Sequence, residues 1–141
     1  MKEGKVRVVA RHFAFLGQES LWAAEASECA REQGKFWEFY DKLFQEQRGR
    51  NSGAFSRENL KRFARDLGLD EQAFAECLDS ERYRDAVLAE RRQGERIGIN
   101  ATPTLVLTGP GGTASRIRGV PTFEQLRRTV DALLALGSSG G

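Results

Sequence analysis

The chain is poor in the residues that most often carry catalysis or hold metals: 141 residues include one histidine, His12, and two cysteines, Cys29 and Cys77. The cysteines are too far apart to form a C-x-x-C, and with a single histidine beside them the donor set argues against a structural zinc site. No metal or organic cofactor is expected. Long apolar runs are missing too. None approaches the ~20 residues needed to span a bilayer, and the opening Met-Lys-Glu-Gly-Lys-Val lacks the hydrophobic stretch of a signal peptide. As written, the sequence predicts a cytoplasmic chain with no membrane partner. Nor is there an excess of charge of either sign. Lys and Arg number 22 against 20 Asp and Glu, a net +2 that gives no reason to expect nucleic acid as a partner. The pairs Arg91-Arg92 and Arg127-Arg128 each have acids close by, Glu90 and Glu95, and Glu124 and Asp131, so they read as solvated helix faces.

What is present fits one domain with a core of ordinary size, without internal repeats. Lys5–Ala10, rich in valine, predicts a buried strand. From Gln18 to Gln33 the period becomes helical, with Leu21, Trp22, Ala26, Cys29 and Ala30 on one stripe, and Gly34 ends the helix. A second helix from Lys35 to about Gln47 carries Phe36, Trp37, Phe39, Tyr40, Leu43 and Phe44. So many rings predict packing on more than one side, a core role outweighing a peptide-binding surface.

Arg48–Ala54 reads as a mobile loop. Ser56 and Asp70 are placed to cap the next two helices, one running to Leu67 and one through Phe74, Cys77 and Leu78. A longer helix is expected from Glu81 to Ile97. Strand Thr104–Thr108, a turn at Gly109–Gly112, strand Ser115–Gly119, a helix Phe123–Leu136 and a flexible tail Gly137–Gly141 complete the order. Pro103 stands directly before a run that reads as a strand. From the residues alone, a trans proline that merely opens the strand outweighs a cis bond that aims backbone at a ligand.

Three segments, RHFAFLGQESLWAAEASECAREQGKFWEFYDKLF, FAECLDSERY and GINATPTLVLTG, resemble the DsbA-like branch of the thioredoxin superfamily in order and separation, over Gly4 to Leu136. The resemblance implies an α/β thioredoxin-like fold, an incomplete domain at residues 1–136 with a helical insertion at about 18–97, followed by the tail at 137–141. The family exchanges disulfides through a C-x-x-C at the start of its first helix. Lys5–Ala10 matches its second core strand, so the first strand, the C-x-x-C and the first helix are expected upstream of Met1. Without that first strand Lys5–Ala10 and Thr104–Thr108 lose their common ladder partner. Each unpaired buried group costs about 1–3 kcal/mol against a domain stability of roughly 5–15 kcal/mol. The two strands are then expected to pair with each other or with another copy, giving a strand-mediated dimer.

By the same resemblance Pro103 is the family's cis proline, and Thr102 offers backbone to an extended segment of a substrate protein or redox partner. Some DsbA-like proteins hold a structural disulfide near the places of Cys29 and Cys77; two buried free thiols are the alternative. For His12 a structural role outweighs a catalytic one. The function implied is thiol–disulfide oxidoreduction, with this chain inactive because it lacks the C-x-x-C. A kappa-type glutathione transferase or isomerase, using an upstream serine, and a non-enzymatic peptide-binding module are the alternatives. If the full-length gene follows the family, the compartment is the bacterial cell envelope.

Overall fold

A computed structural model describes residues 6–139, which fall into two compact units: Arg11–Gly94, and residues 6–10 together with 95–139. Helix α1 (Gln18–Glu32) is followed by α2 (Phe36–Glu46), α3 (Arg57–Asp66), α4 (Glu71–Asp79) and α5 (Arg84–Arg96). Strands β1 (Thr104–Thr108) and β2 (Ala114–Arg118), joined by a short turn, precede α6 (Phe123–Ser139). No helix among the described residues is long and apolar enough to cross a membrane.

The Arg11–Gly94 unit is a helical stack. Alanine at 23, 24, 26 and 30 gives α1 both high helix propensity and a thin face, and α2, α3 and α4 pack against it. The core between them holds Phe39, Leu60, Phe63, Phe74 and Leu78, all buried. Two expected caps start its helices: the Ser56 hydroxyl accepts from the Asn59 amide at 3.2 Å, and the Asp70 carboxylate accepts from the Ala73 amide at 3.0 Å. Each satisfies an amide that the first turn leaves without a partner. The loop before α3 is tied back to α1, because the Glu19 carboxylate accepts from the amides of Gly53 and Phe55 at 2.7 and 2.9 Å.

In the other unit β1 and β2 form an antiparallel hairpin, Thr104 opposite Arg118 and Thr108 opposite Ala114. Helix α6 packs on β1 and on the turn at Pro110–Gly112. Gly109 permits the close approach, since a Cβ there would lie 3.0 Å from the Cβ of Leu133.

Four expectations are corrected. Val6–Ala10 forms no strand, and Val8 and Val9 are 54% and 55% exposed; Lys5 lies outside the described residues. Valine's strand preference is realised only when a neighbour supplies a ladder and covers a face. Among the described residues β1 pairs with β2 alone, so the anticipated pairing between Val6–Ala10 and Thr104–Thr108 does not form. The aromatic residues of α2 are not all enclosed: Phe36 and Phe39 are buried, while Trp37, Tyr40 and Phe44 are exposed, because one helix cannot turn every ring toward one core. Finally, α6 runs on to Ser139, three residues into the expected tail. A glycine costs a helix only about 1 kcal/mol, less than is needed to stop one already propagating.

Candidate functional site

The hairpin unit presents an open backbone edge. Ala101, Thr102 and Pro103 are exposed, and the Thr102-Pro103 peptide bond is cis. The segment is held on both sides of Thr102. The Thr104 hydroxyl donates to the Ala101 carbonyl at 2.7 Å, and the Gly119 amide donates to the Pro103 carbonyl at 2.9 Å. Among the described residues no hydrogen bond uses the amide or carbonyl of Thr102 itself. The Arg116 guanidinium donates to the Ile97 carbonyl, tying the β2 side of the hairpin to the chain that leads into it. One side of β1 is therefore committed to β2, and Thr102 continues the other as free donor and acceptor.

The cysteines are in the helical unit and form a disulfide, with Sγ atoms 2.10 Å and Cα atoms 5.8 Å apart. They join α1 to α4, and both are buried in the core beside Phe39 and Phe74. As these are the only cysteines in the sequence, the chain in this state has no free thiol.

His12 is in the helical unit too, and it is engaged. Its Nε2 lies 2.7 Å from the Glu28 carboxylate, and its backbone amide donates to the Glu90 carboxylate at 2.6 Å. Glu28 also accepts from the Arg31 guanidinium at 2.9 Å, and that guanidinium lies over the Phe36 ring at 4.0 Å. These contacts hold the chain entering α1 to α1 and α5, a positioning role.

One group escaped the sequence reading. Glu25, on the same α1 stripe as Trp22 and Cys29, is 1% exposed, and neither carboxylate oxygen has a hydrogen-bond partner among the described residues. The Trp22 and Arg57 Nε atoms are buried without partners nearby in the same unit. Burial raises the Glu25 carboxyl above its ordinary value and Glu81 adds to this, while Arg84 and Arg57 pull it down. The signal was legible: a glutamate three residues from Trp22 and four from Cys29 must share their face. At the surface the opposite occurs. Glu32 accepts from the Tyr83 hydroxyl and the Arg82 guanidinium, both at 2.6 Å, and these bonds hold its carboxyl below the ordinary range.

A family model described as Thioredoxin matches residues 1–132. A Na(+)/H(+) antiporter NhaA of Herminiimonas arsenicoxydans is 34% identical over 135 residues, 96% of this chain. A probable disulfide bond formation protein D of Bacillus anthracis is 23% identical over 133 residues, 92% of this chain. The chain spans only 19% of the first relative and 58% of the second. The crystal structure of a thioredoxin-like oxidoreductase from Silicibacter pomeroyi DSS-3 superposes with a TM-score of 0.65 at 23% identity, covering 86% of this chain and 65% of that one, a likeness of fold.

Proposed function

Since the chain belongs to the thioredoxin superfamily, in its DsbA-like branch, we propose that it serves thiol–disulfide exchange by holding an extended segment of a substrate protein or redox partner, without turning over dithiols itself. The observation that carries this reading is the division of labour between the two units. Thr102 and the free side of β1 offer an unpaired backbone edge, while the sulfurs of the chain's two cysteines are locked in a buried bridge. Dithiol exchange needs an attacking thiolate and a second thiol to resolve the mixed disulfide. An edge with donors and acceptors in strand spacing takes an extended chain by adding it as a further strand.

Two measurements on the purified chain test this. Insulin reduction in the presence of dithiothreitol is expected to proceed at the rate of dithiothreitol alone. Hydrogen exchange at the amides of Thr102 and Thr104–Thr108 is expected to slow when an unfolded client with alkylated cysteines is added. Turnover above the reagent rate overturns the first half, and unchanged exchange overturns the second.

A second reading, a non-enzymatic binding module appended to a transport protein, is favoured by the 34% identity to a segment of an NhaA antiporter across 96% of this chain. It shares the Thr102 edge and differs in partner. A client that slows exchange only when it carries transporter sequence, and not when it is any unfolded chain, selects this reading.

A further inference from the structure

The face of α2 turned away from the core carries Trp37, Tyr40 and Phe44, which are 46%, 37% and 69% exposed. Their spacing of three and then four residues is the seam by which one helix packs lengthwise on another. The rings form one surface, Trp37 to Tyr40 at 5.3 Å and Tyr40 to Phe44 at 4.9 Å between centroids, and it runs inward to Phe36, 5.0 Å from Trp37. Isolated exposed apolar side chains are ordinary, but a contiguous aromatic strip two helical turns long marks an interaction surface.

The charge beside the strip says what it fits. Glu38 and Asp41, each one position on from a seam residue, are exposed, and neither has an ion pair among the described residues. Further round the same helix, Lys42 is already paired, with Glu46 at 3.3 Å and Asp66 at 3.5 Å. A partner covering the rings would therefore bring its flank against Asp41, with Glu38 one turn away and further round on the same side. Phosphate backbones and anionic bilayers are repelled there, whereas lysine or arginine is attracted. A second copy of this chain would bring the same aromatic seam with the same carboxylates on its flank, so that like charges would oppose each other across the joint.

We propose that the Trp37, Tyr40 and Phe44 seam docks an amphipathic helix of another polypeptide, one whose apolar stripe is flanked by Lys or Arg. The aromatic rings supply buried area at low entropic cost and the two carboxylates set the register.

The test is calorimetric titration of the full chain with a synthetic amphipathic helix about three heptads long, carrying leucine on the seam and lysine beside it. The same peptide with glutamate in place of lysine is the control. The lysine peptide is expected to bind and the glutamate peptide to bind at least about tenfold more weakly. Phe44→Ser, whose folding is checked by its thermal melt, is expected to weaken the lysine peptide by about tenfold or more. The double substitution Glu38→Lys and Asp41→Lys is expected to reverse the preference. Equal binding of both peptides, or no loss with Phe44→Ser, overturns the proposal. So does a concentration-dependent dimer that Phe44→Ser abolishes, or adsorption to phosphatidylglycerol vesicles at the seam in preference to the lysine peptide.

Discussion

The helical unit and the hairpin unit use their apolar residues differently. Of the buried hydrophobic side chains among the described residues, Leu133 alone belongs to the hairpin unit, while Phe39, Phe63, Phe74, Leu60, Leu78 and Val87 are enclosed in Arg11–Gly94. In the hairpin unit Val8, Val9, Val106, Val120 and Phe123 are exposed. Helices satisfy their backbone internally and need only faces to cover, so helices close in sequence can build a core among themselves. A strand needs a neighbour for its backbone and a layer for its faces, and both come from elsewhere in the fold.

The sharpest way to break this comparison is to truncate one large side chain in each unit. Phe39→Ala should lower stability by about 3–5 kcal/mol, since a ring in the centre of the stack leaves a cavity that helices cannot close. Val106→Ala, half exposed on β1, should change it by no more than about 0.5 kcal/mol. Urea unfolding followed by circular dichroism measures both, and similar losses would mean that the hairpin strand carries as much of the fold as the stack.

Removing the bridge sharpens it further. Cys29→Ala with Cys77→Ala should cost about 2–4 kcal/mol, because the cross-link closes a long loop between α1 and α4 and restricts the unfolded chain. Hydrogen exchange should show the loss of protection concentrated in Arg11–Gly94. Thiol titration of the unfolded, unreduced wild type should find no free sulfhydryl.

A smaller effect than loss of the core ring or of the bridge is expected at Glu25. A carboxyl whose folded value is raised holds its proton more tightly when folded, so its contribution to stability is fully present below the ordinary value of 4.5 and is lost as pH climbs through the higher folded value. At pH 8 the charged group is a cost, and Glu25→Gln should stabilise the protein by about 1–2 kcal/mol, with the gain shrinking as pH falls toward 4. Denaturation midpoints of both proteins across that range decide it. A constant difference would assign the effect to shape and not to ionisation.

Much of the helical unit was legible before its structure. Ser56 and Asp70 marked helix starts because a side-chain oxygen beside free amides is a local event. The α1 stripe marked the buried face that holds Cys29, because helical period alone places residues three and four apart together. Glu25 lies on that face as well, and a stripe drawn from Leu21, Trp22, Ala26, Cys29 and Ala30 left it out. The valines at Lys5–Ala10 and the rings of α2 misled for one reason: composition reports a preference for burial without saying whether a neighbour is there to provide it.

By itself the sequence determined the family, the order of the helices and of the late hairpin, the helix caps and the absence of a C-x-x-C. Each of these is a matter of residue identity and short spacing along the chain. Tertiary structure decided that Cys29 meets Cys77, that the Thr102 backbone is left without partners among the described residues, and that Trp37, Tyr40 and Phe44 face outward while Phe36 and Phe39 face in. Those outcomes depend on which surfaces meet across tens of residues, and local propensity carries no record of them.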